Sequence, residues 1–484
     1  MFRYALPLLL ALVVPAAVQA QALNAPPPPA RTDTEVELGR IQTVAELLDK
    51  AAGYEKANDW RRYGYAMKRI LELRPHAGNI KVELAAAYAM QDMKQEAFDL
   101  LVRMQSTGYA WDLSKDERFA NLKGTGLWDY LLQNYAANAK PFGKGKVETT
   151  LPAGDLLLES LAWDAKRGKL LAGSVRNGAV SIVDGDKLTT LVAADAKNGL
   201  WGVFDMFADA ANDRLWVASS AIPHVKHAAE SDYGRAALFA FRLSDGSFVG
   251  KYAVPDDGRP HLLTAVTANP RGDVFVADML TAQVFKQEGD GLRLVVQNPR
   301  LATIRAIAAT SDNRILYFAD HELGLFGLDL TTGRAFDVLL PQYFTPYGIE
   351  SLYAWKGQLV AVQNAFPPKR VMRLTMSADG HRIERAKAVD AAQPALELPT
   401  RGAIAGDRLL LVANSQKGKY DGEGKPVAGA KLEGTKVWAS DLNFAMPTAE
   451  ELRDAAKNKA KKDLARDARI PDGSGMCGDP GASR

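Results

Sequence analysis

The chain has 484 residues, of which 47% are hydrophobic and 24% are charged, with a formal net charge of +3 and a single cysteine, Cys477. A chain of this length is too long for one ordinary core, so two or three domains are expected. The small net charge, with no basic stripe interleaved with aromatic residues, argues against a nucleic-acid-binding protein. One cysteine cannot form an internal disulfide, so packing must stabilise the fold.

Residues 1–20 have the pattern of a secretory signal peptide. Arg3 precedes an apolar stretch, and Val18, Gln19 and Ala20 place small residues around a cleavage position. A membrane anchor is the alternative, but the apolar core is shorter than the roughly 20 residues that a spanning helix needs. We therefore expect a periplasmic or secreted protein with no transmembrane span after cleavage, followed by a Pro-rich linker at residues 21–32.

Residues 33–140 read as helical, with an internal period of 34 residues: Ala51 recurs as Ala85, and Tyr54 recurs as Tyr88. The segments "AAGYEKANDW" and "AAAYAMQDMKQEAFDLL" resemble about two tetratricopeptide repeats. A third element containing Trp128 is expected to cap the array, because a terminal repeat otherwise exposes an apolar face. Two roles remain open, which are a groove for a protein partner and a structural cap on the next domain.

Residues 144–443 change to short β-branched and aromatic runs separated by Gly, Asp and Asn turns. Six copies of one pattern begin 45, 59, 41, 44 and 50 residues apart, which is the spacing of four-stranded propeller blades. The fold class is thus a short tetratricopeptide-like α-helical array followed by a six-bladed β-propeller. The sixth copy lacks a fourth strand, so residues 146–152 are expected to pair at the outer edge of the last blade and close the ring.

The propeller sequence resembles the gluconolactonase and senescence-marker-protein family. The resemblance is carried by segments such as "LLLESLAWD", "DNRILYFADHELGLFGLDLTTG" and "YGIESLYAWKGQLVAVQN". A position about ten residues before the first apolar run of each copy should lie at the start of the innermost strand, which faces the central channel. The six residues predicted to form a ligand pocket there are Glu159, Asp205, Thr264, Arg305, Glu350 and Arg401.

The resemblance implies a divalent cation, such as Ca²⁺, held by a Glu, an Asn and an Asp on blades one, four and five. Glu159 matches the Glu, and Glu350 falls at the Asp position, where it would also be the catalytic residue of a lactonase. Arg305 stands at the Asn position and argues against a metal, because a guanidinium is a permanent cation that offers no lone pair. The alternative is a salt-bridge plug in which Arg305 balances both acids.

Other candidates lie outside this ring. His224 and His227, with Glu230 and Asp232 nearby, suggest either a zinc site or a solvated or lid-like loop. His261 and His321 are expected to border the pocket. Residues 444–484 are predicted to be a charged helical or disordered tail.

Two functions are compatible with these features. The leading interpretation is an exported binding or scaffolding protein, whose channel face binds a small polar ligand and whose helical repeats bind a protein partner. In that case no cofactor is needed. The alternative is a divergent metal-dependent hydrolase of lactones or related esters.

Overall fold

The computed structural model describes residues 31–447 and Lys457, and it contains a helical region followed by a six-bladed β-propeller. The predicted signal peptide, nearly all of the Pro-rich linker, Cys477 and nearly all of the predicted tail lie outside the described residues. None of the helices in the described part of the chain is long and apolar enough to cross a membrane.

Between residues 31 and 140, the helical region contains six α-helices and one 3-10 helix. They are α1 (Asp33–Gly39), α2 (Val44–Lys56), α3 (Trp60–Leu73), α4 (Gly78–Met90), α5 (Lys94–Ser106), the 3-10 helix Glu117–Leu122 and α6 (Gly126–Asn138). Helices α4 and α5 each begin 34 residues after α2 and α3, so the helix starts follow the period found in the sequence. Membership of the tetratricopeptide family stays a prediction.

Two apolar cores hold the helices together. Leu47, Met67 and Leu84 belong to the first, between α2, α3 and α4. In the second, Phe119 and Trp128 pack against α4 and α5. Asp59 and Thr125 cap the starts of α3 and α6, where their side chains accept hydrogen bonds from otherwise unpaired backbone N–H groups.

The propeller contains 24 strands. They are β1 (Lys146–Leu151), β2 (Leu158–Asp164), β3 (Lys169–Ser174), β4 (Ala179–Asp184), β5 (Lys187–Ala193), β6 (Gly202–Asp209), β7 (Arg214–Ser220), β8 (Ala236–Arg242), β9 (Phe248–Ala253), β10 (Leu263–Ala268), β11 (Val274–Asp278), β12 (Gln283–Glu288), β13 (Gly291–Gln297), β14 (Ile304–Ala309), β15 (Ile315–Asp320), β16 (Gly324–Asp329), β17 (Ala335–Asp337), β18 (Ile349–Trp355), β19 (Gln358–Gln363), β20 (Arg370–Met376), β21 (Ile383–Ala391), β22 (Gly402–Ala405), β23 (Arg408–Val412) and β24 (Thr435–Asp441).

These strands form six antiparallel sheets of four, one for each blade, and the first strand of each blade lies innermost. Five blades use four consecutive strands, whereas blade six has the order β1-β24-β23-β22. The register joins Lys146 to Ala439 and Leu151 to Thr435, so β1 is the outer strand of the last blade. The predicted closure is confirmed, and it ties the two ends of the ring together.

The helical region docks on blades four and five, against loops on the face of the propeller where the inner strands begin. Arg74 forms an ion pair with Glu322, and Arg370 Nη1 donates to Thr107 O at 3.0 Å. The rings of Tyr109 and Phe366 have centroids 4.3 Å apart. The helices therefore form a wall beside the channel mouth on this face, which we call the loop face.

Candidate functional site

The channel side chains are placed by a β-bulge at the start of the inner strands. In β2, β10, β14 and β18 the register shifts by one residue, which leaves Glu159, Thr264, Arg305 and Glu350 without a partner opposite them. A bulge of this kind re-aims the side chain of its extra residue. In blade six, Thr400 N donates to Val412 O while Val412 N donates to Arg401 O, and Gly402 pairs with Leu411, so Arg401 is the extra residue there.

In blade two, the bulge lies one position away from the residue predicted by comparing the six sequence copies. Its register shift falls between Val203 and Asp205, so Phe204 occupies the bulge and Asp205 follows it. Phe204 packs in an apolar cluster with Val225 and Tyr420. We call the six bulge residues the channel ring; they are Glu159, Phe204, Thr264, Arg305, Glu350 and Arg401.

Glu350 is the centre of an ion-pair network across the ring. Arg305 Nη1 donates to Glu350 Oε2 at 2.9 Å, and Arg401 Nη1 donates to Glu350 Oε1 at 3.2 Å. Arg401 Nη2 also reaches Arg305 O at 3.0 Å, which links blade six to blade four. Burial would raise the pKa of Glu350, but Arg401 and then Arg305 lower it to about 2. Glu350 is therefore a fully ionised carboxylate.

Glu159 has different partners from those predicted. Arg305 pairs with Glu350 and not with Glu159, whose Oε1 instead accepts a short hydrogen bond from Ser415 Oγ. Burial raises the pKa of Glu159, against the opposing effects of Lys417, Ser415 and Arg401. Lys417 itself is exposed, and within the described chain its ammonium group forms no direct ion pair. Ser415 and Lys417 belong to the long loop between β23 and β24.

Two insertions build a further wall on the loop face. The loop of blade two, between β7 and β8, and the loop of blade six, between β23 and β24, touch at Gly424, whose φ is +73°. A Cβ there would lie 2.5 Å from Pro223 O, so glycine is required both for space and for its backbone conformation. Tyr420 donates to Asp155 at 2.9 Å, and this contact fixes the blade-six loop to blade one.

The predicted histidines lie in three different settings. His321 Nε2 is 4.0 Å from Glu350 Oε2, and burial followed by the charge of Arg305 lowers the pKa of His321 to about 4. His261 lies between Asp278 (2.6 Å) and Asp257 (3.1 Å). His224 packs against Tyr420, whereas His227 contacts Leu200 O at 2.8 Å. Of these four histidines, His321 alone contacts a carboxylate of the channel ring.

The residues at the ring do not fit a divalent cation. Both oxygens of Glu350 already accept from guanidinium groups, and Arg305 fills the position of the neutral oxygen ligand that the family resemblance implies. A cation there would be repelled by Arg305 and Arg401. Among the residues that the structure describes, no three His, Cys, Asp or Glu side chains are grouped for metal binding.

Comparisons with known proteins identify similar folds only. No protein-family model matches this sequence, and a search of curated proteins gives no significant match. Virginiamycin B lyase from Staphylococcus aureus has a TM-score of 0.40 at 16% identity, over 56% of this chain and 82% of that chain. A gluconolactonase from Xanthomonas campestris has a TM-score of 0.41 at 14% identity, over 63% and 92%.

A putative oxidoreductase (glucose dehydrogenase) from Thermus thermophilus also has a TM-score of 0.41, at 13% identity, over 61% of this chain and 99% of that chain. TM-scores below 0.5 at these identities carry no argument about activity. The six-bladed architecture rests on the strand pairing of the chain itself.

Proposed function

We propose that the chain is an exported binding protein whose channel ring takes a small anionic molecule, such as a polyhydroxy carboxylate, without a divalent cation. The observation that carries this proposal is the arrangement of Arg305, Arg401 and Lys417 around a single fully ionised acid, Glu350. An anion would supply the negative charge that this cluster lacks.

The charge balance of the ring favours an anion. Glu350 offsets one of the two guanidinium groups, and burial disfavours the charged form of Glu159. His321 is neutral near pH 7, because its pKa is lowered to about 4. The excess positive charge lies in a site largely withdrawn from water, where an ionic interaction is stronger than at the surface.

The ring is also open to a ligand. A quarter of the Arg305 side chain is exposed, at 25%, whereas those of Glu350 and Arg401 are 3% and 7% exposed. Lys417 is exposed at the rim. A ligand arriving from the loop face would therefore meet Lys417 at the rim before it reaches Arg305.

The docked helices support a structural role for the repeats at this site. His321 contacts Tyr347 with ring centroids 6.0 Å apart, and Tyr347 stacks on Phe366 at 6.1 Å. Phe366 belongs to the same apolar core as Tyr109 and Trp128 of the helical region. The helices thereby support one side of the ring, which is a role distinct from recruiting a protein partner.

A metal-dependent hydrolase of lactones or related esters is the second candidate. One observation favours it: Glu159 and Glu350 are both buried carboxyl groups on the same channel ring, at 7% and 3% exposure. The guanidinium groups bound to Glu350 oppose it. The two proposals differ in what they require, because only the hydrolase needs a divalent cation.

Isothermal titration calorimetry with D-gluconate, in the presence of EDTA, tests the binding proposal. We expect saturable binding that Lys417→Gln and Arg305→Gln each weaken about tenfold, which corresponds to roughly 1.4 kcal/mol. Lys425→Gln is the matched control, because Lys425 lies on the same loop but pairs with Glu423.

Two kinds of result would contradict the binding proposal. If binding requires added Ca²⁺, the metal-free binding proposal is wrong. If the protein hydrolyses glucono-1,5-lactone and loses that activity in EDTA, the metal-dependent hydrolase is correct. Equal affinity in wild type and both variants would show that the ring is not the binding site.

A further inference from the structure

A separate cavity lies within the channel beneath the ring. It has a volume of about 310 Å³ and opens at the face opposite the loop face, towards the ends of the inner strands. Its far part is lined by apolar side chains from all six blades, which include Trp163, Phe207, Val266, Ile307, Leu352 and Ile404. A volume near 300 Å³ with a largely apolar lining is typical of small-molecule sites.

The inner end of this cavity is polar. Asp205, Arg305 and Arg401 line it, and they come from the same inner strands as the apolar residues. The Nε atoms of Arg305 and Arg401 are buried, and neither has a hydrogen-bond partner within the described residues. Arg401 as a whole is only 6% exposed. A buried N–H donor without a partner costs free energy, so an acceptor supplied by a ligand would stabilise this end.

We propose that this cavity is a second ligand site, which takes a small amphipathic carboxylic acid with its carboxylate towards Arg305 and Arg401 and its apolar body towards Phe207 and Trp163. Two guanidinium groups face a single carboxyl group, Asp205, at the inner end, so an anionic head is favoured over an ammonium head. The apolar walls then bury the hydrocarbon, and removing that apolar surface from water favours binding.

The state of Asp205 is compatible with such a ligand. One oxygen accepts from Val266 N at 2.9 Å. Burial raises the pKa of Asp205 to about 7, with Arg401 acting in the opposite direction. Tyr353, also at the cavity, is the other titratable group that faces Asp205. A protonated Asp205 can donate to a carboxylate instead of repelling it.

The two sites share Arg305 and Arg401 but lie on opposite sides of the ion-pair network. The network of Arg305, Glu350 and Arg401 fills the ring between them, with Arg401 bonded across the channel to Arg305 O. The ring site is reached from the loop face and the cavity from the opposite face. A very polar ligand such as gluconate is unsuited to the apolar walls of the cavity, and a short-chain acid gains its affinity from those walls.

Calorimetric titration of the full chain with hexanoate, hexan-1-ol and hexylamine tests the proposal, because these probes share one apolar body and differ in the head group. We expect hexanoate to bind at least tenfold more tightly than the other two, both with and without saturating gluconate. Ala208→Phe and Ala403→Phe narrow the cavity from two different blades and should abolish hexanoate binding. Ala229→Phe, on an exposed loop outside the cavity, is the matched control and should retain it.

Tighter binding of hexylamine, no binding of hexanoate at millimolar concentration, or unchanged affinity in folded Ala208→Phe and Ala403→Phe would each overturn the proposal. If both Phe variants fail to fold, the fluorescence of Trp163 decides. The contribution of Trp163 to the fluorescence is the difference between the emission of wild type and that of Trp163→Phe. Hexanoate should change this contribution. If hexanoate leaves it unchanged, the proposal is overturned. Because hexanoate and gluconate are measured separately, failure at one site does not imply failure at the other.

Discussion

Asp205 shows how one buried carboxyl group makes the stability of this fold depend on pH. Burial raises its pKa from 3.8 to about 7. Between these values the folded chain keeps a proton that the unfolded chain releases. The stability that this proton confers is therefore fully present below pH 3.8 and is lost as the pH rises through about 7.

We predict that Asp205→Asn stabilises the protein at pH 8 relative to wild type, and much less so at pH 5. Raising the pKa from 3.8 to about 7 changes the free energy of unfolding by up to about 4 kcal/mol between pH values below 3.8 and pH values above 7. This follows because one pKa unit is about 1.36 kcal/mol. Urea unfolding at the two pH values measures the difference. Asp186→Asn, on an exposed turn, is the control and should show no such change. If Asp205→Asn stabilises the protein more at pH 5 than at pH 8, the raised pKa of Asp205 is contradicted.

Most of the ring residues could be predicted from sequence, because the inner strand begins at a nearly constant distance before the next apolar run. Blade two could not, since the position of a bulge leaves no trace in apolar periodicity, and the alignment therefore gave Asp205 where Phe204 lies. The bond from Ser415 to Glu159 joins residues 256 positions apart, through a loop whose path the sequence pattern does not specify.

At the scale of elements, β1 shows why the closure of the propeller ring could be predicted from sequence, whereas the paths of its loops could not. Ring closure can be predicted by counting strands. The sixth copy lacks its fourth strand, and one additional strand precedes the first copy and can fill that place. The register confirms it, because β1 pairs with β24 from Lys146 to Leu151. Loops carry no such constraint, so the contact between the insertions of blades two and six at Gly424 and Pro223 was not expected.

Leu151 provides the test of this closure. Its side chain is 1% exposed in a core shared by blades six and one, whereas Val147 on the same strand is 39% exposed. We expect Leu151→Ala to lower the free energy of unfolding by about 2–5 kcal/mol, the usual range for replacing a buried Leu by Ala. Val147→Ala should cost less than about 1 kcal/mol. Equal effects in denaturant titrations would mean that β1 contributes little to closing the ring.

At the scale of the whole molecule, the helical region and the propeller share a core. Phe366 comes from a propeller loop, yet it packs with Tyr109 and Trp128 of the helical region. The linker is also held, because Phe142 exchanges two backbone hydrogen bonds with Ala391 at 2.9 and 3.0 Å. A helical region held by these contacts forms a wall beside the propeller channel.

The shared core predicts that the two regions unfold together. Wild type should give one cooperative thermal transition, because unfolding either region exposes the apolar surface of the other. Phe366→Ala removes the aromatic contact with Tyr109 and should separate the melt into two transitions, the first of which loses helical circular dichroism. Phe336→Ala is the matched control: Phe336 stacks on His381 within the propeller, so its loss should lower the melting temperature while leaving a single transition. Two transitions in the wild-type protein would show that the docked helices and the propeller are thermodynamically independent, and the helices could then no longer be regarded as a support for His321 and the channel ring.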